Sequence, residues 1–558
     1  MVGKFLNQRQ TNIFSAATII GSMIAASRVL GLVRNRVLAH FFSAEELSIY
    51  FAAFRLPETI FGILVFGIIS SAFIPVFVGY LSKKKKKEAW HVASVILNAT
   101  FLTFTFLALL IFIFAKPLYQ LITAGFTPKQ IEEVVSLTRI LIFAQAFFVL
   151  SYFLTGILES FQRFLIPAIA PLFYNLGIIL GTILLSNRFG IFAPTLGAVL
   201  GSALHLAIQV PFCSLLGFSP ALKLDFSHPG VRKIGELAFP RIIELAILEF
   251  SKSIELFLAS LISTAAYTWF TFASSLQLFP VSLFGTSIAK ATLPTLSYRS
   301  TDKNLTEFKK IFLSSFKQIL FLTIPFSIFL AVLRIPVVRL AFGASRFTWK
   351  STIETSQTLS VFCLSISAQA LTFLLARAFY ALHQTATAVK ASVLSIFLNI
   401  TLSFLFILIF HFPIWGLALS FSISSICHVF ILFYLLNKKI NFDKKQLFSP
   451  FIKVLFASLL AGSLMFFLLK IFDRSVWDKK LSFLGRYGLA LPTTFEHFVL
   501  DTHYTINLAL LTLFVSLTGI ISYLFLAWVF RIEELAVFKN SILSMKNGKA
   551  AKTKRKET

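Results

Sequence analysis

Charged residues are scarce in this sequence, and acidic ones are scarcer still. Of 558 residues, 13% are charged, against roughly 25% in soluble globular proteins. So few charges leave too little polar surface to cover a water-soluble domain, and the composition excludes a soluble enzyme. The 23 acidic residues face 51 Lys and Arg, giving a net charge of +28. Most of these basic residues lie between or after apolar runs, which predicts contact with anionic membrane lipids and no nucleic-acid partner.

Cysteine and catalytic motifs are also missing. The three cysteines, Cys213, Cys363 and Cys427, lie in apolar runs at unrelated spacings, which predicts neither a disulfide framework nor a metal site. No glycine-rich phosphate loop and no Ser/His/Asp arrangement occurs. We therefore predict a protein that is not an enzyme and holds no cofactor.

Long apolar runs are what the sequence has in abundance. They are about 20 residues long, the length that crosses a bilayer core. We predict an all-α polytopic membrane protein with fourteen transmembrane helices. The predicted spans are 12–39, 47–81, 90–115, 133–160, 165–187, 192–217, 233–262, 264–297, 306–333, 355–382, 385–410, 414–436, 449–472 and 505–530.

The basic residues predict the orientation of these helices. Clusters of Lys and Arg at 83–87, 299–310, 438–445 and 549–556 all follow even-numbered helices. Positive residues favour the cytoplasmic side, so both termini are predicted to be cytoplasmic. The basic segment 334–350 follows helix 9 and departs from this bias, and we predict that it lies at the membrane interface.

An internal repeat divides the chain. Residues 71–77 resemble 290–296, and 154–168 resemble 375–389, both at an offset of about 220 residues. The similarity predicts two six-helix lobes that alternate access to a shared cavity; chance likeness between Phe- and Leu-rich helices is the alternative. The predicted divisions are an N-lobe at 1–230, a C-lobe at 231–440, helices 13 and 14 at 441–535 and a basic cytoplasmic tail at 536–558.

Several ordered motifs carry a family resemblance. The run Ser27-Arg28-Val29-Leu30-Gly31-Leu32-Val33-Arg34 is followed by Ala53-Phe54-Arg55-Leu56-Pro57, and later by Gln162-Arg163-Phe164-Leu165-Ile166-Pro167 and Leu293-Pro294-Thr295-Leu296-Ser297. In this order they resemble the MurJ/MviN family of the MOP exporter superfamily. The resemblance implies a flippase in the bacterial inner membrane. Its substrate would be lipid II, the undecaprenyl-pyrophosphate-linked peptidoglycan precursor, moved from the inner to the outer leaflet.

The resemblance also implies where substrate binds. Arg28, Arg34 and Arg55 occupy the family's cationic positions, and Ser27 and Lys290 are predicted to join them. A charge at the bilayer centre costs about 2.5–3.5 kcal/mol, which an anionic pyrophosphate offsets through paired oxygens that match a guanidinium. For each arginine, snorkelling or a structural ion pair is the alternative.

Predicted helix 7 carries charge along one side. Arg241, Glu244, Glu249, Lys252 and Glu255 fall within an arc of roughly 140° on a helical wheel. The helix therefore presents one polar face to a cavity or to another helix. Self-neutralising pairs three residues apart are one interpretation.

An ion-coupling site is the other interpretation of this face. The resemblance implies that an acid at Glu255 faces helix 11, where Asn399 and Ser403 offer oxygen atoms. Such a group would bind Na⁺ or a proton.

The sequence departs from the family pattern where relatives carry charges. Many relatives carry an acid where Ser48 stands, an arginine near Gly62, an acid near Phe66 and an acid–arginine pair where Ser274-Ser275 stand. Two further functions therefore stay open: export of another polyprenyl-linked or amphipathic substrate, and a non-transporting scaffold for cell-wall synthesis proteins.

Overall fold

The computed structural model describes residues 13–301, 305–442, 444–475 and 499–536, which are almost entirely helical. Within those ranges the one β-type pairing is an isolated bridge between Asp473 and Leu500. The long helices are α1 (Ile13–Phe41), α2 (Ala44–Ser82), α3 (Lys86–Ile122), α4 (Pro128–Ser160), α5 (Leu165–Phe189), α6 (Phe192–Leu215), α7 (Pro229–Ile262), α8 (Ala266–Tyr298), α9 (Leu305–Val332), α10 (Trp349–Cys363 and Ile366–Ala381), α11 (Thr385–Ile409), α12 (Trp415–Ile440), α13 (Lys444–Phe472) and α14 (Thr505–Val529). A short helix, Arg334–Phe342, follows α9, where the sequence predicted an interfacial segment.

The all-helical membrane fold is confirmed. Among the described residues, eleven helices are long and apolar enough to cross a bilayer, and α10 makes a twelfth if its two halves, bent by 45°, form one span. Helices α1 and α7 stand outside this set. The count of fourteen spans stays a prediction, and the predicted basic tail at 536–558 lies almost wholly outside the described residues.

The chain divides into two compact units. Unit 1 holds the residues up to Phe272 together with Ala341–Thr355 and Ile396–Ser420. Unit 2 holds Ala273–Leu340, Ser356–Ser395 and the described residues from Phe421 onward. The predicted lobe boundaries, which follow the order of the helices alone, stay a prediction.

A proline in α2 leaves a backbone acceptor that neighbouring helices satisfy. Pro57 has no N–H, so the carbonyl of Ala53 loses its donor within the helix. The hydroxyl groups of Tyr119 and Thr138 donate to that oxygen at 3.1 and 3.0 Å. Tyr119 also reaches the carbonyl of Ala52 at 3.2 Å. Helices α3 and α4 thus support α2 where a membrane offers no water to do so.

Four glycines bring α5 and α6 into backbone contact. A Cβ added to Gly177 would lie 2.5 Å from the Cα atom of Gly201, and one added to Gly181 would lie 2.6 Å from the Cα atom of Gly197. Both pairs follow the four-residue spacing that lets membrane helices approach closely. Only glycine fits at these crossing points.

Two turns in the segments that the predicted repeat matches share a backbone conformation. The turn after α4 places Gln162 at φ 60°, and the turn after α10 places His383 at φ 56°; the two positions are 221 residues apart. Both turns are closed by equivalent backbone hydrogen bonds. Helices α2 and α8 also share a stretch of wide π-helical turns, Gly62–Phe73 and Val281–Thr286. These features support the predicted duplication.

Candidate functional site

An ion pair joins α2 to α7 inside unit 1. Arg55 donates from Nη2 to the Glu249 carboxylate, and the two side chains are 5% and 9% exposed. Lys252, one turn along α7, donates to the other carboxylate oxygen of Glu249 at 2.7 Å. Glu249 thus bridges two cations. Since a buried charge is tolerated only when it is paired, this bridge fixes α7 against α2.

The predicted polar face of α7 is paired along its length. Arg241 contacts Glu244 at 2.5 Å, three residues apart as expected. Lys252 pairs with Glu249, and Glu255 makes a different contact on α11. The side chain of Asn399 donates from Nδ2 to Glu255 Oε1 at 3.3 Å.

Two of the three predicted ion-coupling residues, Glu255 and Asn399, are therefore in contact. Asn399 and Ser403 are buried, at 7% and 2% exposure, and lie one turn apart on α11. The Oδ1 atom of Asn399 has no hydrogen-bond partner among the described residues. Glu255 and Asn399 together offer oxygen atoms that suit a Na⁺ ion or a proton, which leaves their role in coupling a prediction.

Unit 1 also contains a cavity of about 260 Å³. Its polar lining residues are Glu58, Gln145, His205, Glu249 and Lys252, and its apolar ones are Phe61, Gly62, Phe66, Phe148, Tyr152, Pro171 and Tyr174. We call this the unit 1 cavity. The sequence analysis overlooked Glu58, Gln145 and His205. Glu58 carried a signal, an acid three residues after Arg55 in an apolar run, whereas isolated Gln and His residues in apolar helices carry none.

The predicted substrate-binding residues are placed differently from one another. Arg28 is exposed, while Ser27 and Arg34 are half-buried on α1. Arg34 donates from Nε and Nη2 to the side-chain oxygen of Asn35 at 3.1 and 3.0 Å. Lys290 is exposed and belongs to unit 2. Arg55 forms an ion pair with Glu249, so its guanidinium already has an anionic partner.

Ser48 and Gly62, singled out in the sequence analysis, both lie at contacts between helices. Ser48 on α2 forms a buried hydrogen bond with Thr268 of α8 at 2.9 Å. Gly62 faces Glu249, because a Cβ added there would lie 3.3 Å from the carboxylate oxygen. A larger side chain at Gly62 would crowd the ion pair.

The connection between α6 and α7 is held by α3. Asn98 donates to the carbonyls of Ala221 and Lys223 at 2.7 and 3.0 Å, and His91 contacts Asp225 at 3.0 Å. The hydrogen bond from His91 lowers the pKa of the exposed Asp225 carboxyl. One face of α3 therefore anchors the segment that links the two predicted lobes.

Long apolar helices, with charged side chains paired between α2 and α7, define a polytopic membrane protein. The structure resembles an inward-facing transporter described as a multidrug resistance MATE family member of the MOP superfamily, with a TM-score of 0.64 at 12% identity over 76% of this chain and 98% of that one. The model for the family described as lipid II flippase MurJ matches residues 38–487, and the chain therefore belongs to the lipid II flippase MurJ family.

Individual relatives agree with this assignment. The chain is 27% identical over 479 residues to a probable lipid II flippase MurJ of Buchnera aphidicola, covering 84% of this chain and 92% of the relative. It is also 27% identical to a probable lipid II flippase MurJ of Thermotoga maritima, over 91% of this chain and 95% of that one. A structure described as lipid II flippase MurJ, inward closed conformation, superposes with a TM-score of 0.75 at 24% identity over 93% of this chain and 100% of that one.

Proposed function

We propose that this lipid II flippase holds the pyrophosphate of its lipid-linked substrate on Arg28 and Arg34 of α1 and carries it across the membrane by alternating access. Ser27 precedes Arg28 and supplies a hydroxyl donor beside it. Arg55 and Lys290 remain predicted contacts. The function is transport and not catalysis, and peptidoglycan synthesis is the process that it serves.

The exposure of Arg28 supports this proposal. It is the sixteenth of the 29 residues of α1 (28 − 13 + 1), so it lies near the middle of the helix. Its side chain is exposed, and no described residue forms a hydrogen bond or ion pair with it. Arg55, by contrast, has an acidic partner. An exposed cation with no anionic partner among the described residues is a suitable partner for an anionic substrate.

Complementation tests the role of Arg28. Bacteria depleted of their own flippase would receive the wild type, Arg28→Ala, or the control Arg139→Ala. Arg139 is also an exposed arginine of unit 1, but it lies over the ring of Phe112, 5.0 Å from its centroid. We expect growth with the wild type and the control and loss of growth with Arg28→Ala. Equal rescue by both variants would contradict the role of Arg28, and no rescue by the wild type would favour the scaffold for cell-wall synthesis proteins.

We also propose that Glu255 and Asn399, with Ser403, bind the coupling ion, Na⁺ or a proton. The support is the 3.3 Å contact between Glu255 and Asn399 and the unpartnered Oδ1 atom of Asn399. Movement of fluorescent lipid II between the two leaflets of proteoliposomes would be measured under a Na⁺ gradient, a pH gradient or neither. Glu255→Gln should abolish the response to the effective gradient, whereas the control Glu244→Gln should keep it. A response unchanged by Glu255→Gln would refute this assignment.

The orientation and the remaining partners are part of the same proposal. Both termini lie in the cytoplasm, and the basic clusters after the even-numbered helices contact anionic lipids there. Cysteine labelling from outside intact cells tests the orientation. A cysteine placed at Gly190, between α5 and α6, should react, and one placed at Gly79, near the end of α2, should not.

A further inference from the structure

The unit 1 cavity has an unused hydrogen-bonding group at its inner wall. Gln145 of α4 is 3% exposed, and its Oε1 atom has no hydrogen-bond partner among the described residues. A buried amide oxygen without a partner is costly, by about 1–3 kcal/mol. Since Gln145 lines the cavity, a ligand that donates a hydrogen bond there would satisfy it.

The formal charges around the cavity cancel. Glu58, Glu249 and Lys252 line the cavity, and Arg55, which is not part of the lining, pairs with Glu249. Two carboxylates and two cations leave no net charge to attract an ion. The cavity therefore favours a neutral ligand that donates and accepts hydrogen bonds.

Aromatic rings form much of the remaining wall and hold one another in place. Tyr152 contacts Phe61 and Phe66 at centroid distances of 5.3 and 5.7 Å, and it stacks on His205 at 5.6 Å. His205 is oriented in turn by Ser151, whose hydroxyl lies 2.6 Å from Nδ1. Because these rings are already held in place, they can pack against the apolar C–H face of a ligand without losing further side-chain entropy.

The size of the cavity limits what enters it. Pockets for drug-sized ligands measure about 300–1,000 Å³, so a cavity of about 260 Å³ takes one ring and not a whole substrate. The part of the cavity that solvent reaches is lined by Glu58, Phe66 and Lys252. Glu58 and Phe66 are exposed, and the Lys252 side chain is 43% exposed. The cavity thus has an accessible polar mouth and a buried amide inside.

We propose that the unit 1 cavity binds a sugar ring of the lipid-linked headgroup. A sugar is neutral over most of its surface, has hydroxyl donors for Gln145 and Glu58, and has an apolar face for the aromatic wall. This inference rests on the proposed function, because it assigns a second contact to the substrate whose pyrophosphate binds Arg28 and Arg34.

Two probes separate the two contacts. Purified full-length protein in nanodiscs would be titrated with the free disaccharide of peptidoglycan and, separately, with inorganic pyrophosphate. Gln145→Leu and Gln145→Met remove the amide at similar size. The control is Gln277→Leu, because Gln277 is also buried, at 1% exposure, has an unpartnered amide nitrogen among the described residues, and lies in unit 2. Thermal melting verifies that each variant is folded.

We expect both Gln145 variants to weaken disaccharide binding by about five- to tenfold, the value of one hydrogen bond, and Gln277→Leu to leave it unchanged. Pyrophosphate binding should be the same in all of them. Equal disaccharide affinity in the Gln145 and Gln277 variants, or no saturable binding to the wild type, would overturn the sugar site. Failure of pyrophosphate to bind the wild type would instead count against the proposed function.

Discussion

Replacing Arg55 by methionine should destabilise unit 1 by about 3 kcal/mol, the lower end of the range for breaking a buried ion pair. The magnitude follows from the burial of the pair, at 5% and 9% exposure, because the carboxylate of Glu249 would lose its buried partner. Lys252 still contacts Glu249 at 2.7 Å, but its side chain is 43% exposed, so it compensates only in part. The double variant Arg55→Met/Glu249→Gln should recover about 2 kcal/mol relative to the sum of the single variants.

Detergent-induced unfolding in micelles, followed by intrinsic fluorescence, measures these differences. The matched control is the ion pair between Lys116 and Glu132, which are 3.1 Å apart and whose side chains are 56% and 65% exposed. Breaking that pair should cost at most about 1 kcal/mol. If Arg55→Met cost no more than Lys116→Met, or if the Arg55 and Glu249 substitutions were additive, the buried-pair reasoning would be refuted.

Three further predictions concern other contacts. Gly177→Val should lower the free energy of unfolding by about 3 kcal/mol, because its side chain would overlap the backbone of α6. A Cβ added at Gly79 meets no atom within 4 Å, so Gly79→Val should lower it much less. Tyr119→Phe removes the donor to two α2 carbonyls and should cost about 1–3 kcal/mol in the same assay. Because the pKa of Asp225 is lowered by His91 in the folded protein, its stabilising contribution is present above the unfolded pKa and is lost as the pH falls through the folded one. The difference in melting temperature between the wild type and Asp225→Asn should therefore shrink on acidification, and a constant difference would contradict this account.

Most of the helices were predictable because a membrane-spanning helix requires one simple pattern, a run of about 20 apolar residues. Each apolar run of the necessary length became a helix, and the predicted spans at 165–187 and 505–530 end within two residues of α5 and α14. The bend in α10 was not predicted. It falls at Leu364 and Ser365, between the two halves, and neither residue is a proline or glycine that would mark a break.

From the residues alone, the candidate site was predictable only where its members share one helix. The polar face of α7 follows from the spacing of five charged residues, and the facing of Glu255 and Asn399 came from the family resemblance. The bond between Arg55 and Glu249 joins residues 194 positions apart, and nothing in the sequence selects that partner among the acids of α7. The unit 1 cavity was missed for the same reason, because its walls come from five helices.

The two left-handed turns at Gln162 and His383 bear on how the halves of the chain should be compared. Each turn is closed by N–H and carbonyl groups of the backbone, so the residue at its centre is constrained only to tolerate a positive φ. Glutamine and histidine are different residues, yet they occupy the same backbone conformation 221 residues apart. A comparison of the two halves should therefore match backbone turns as well as residue identities.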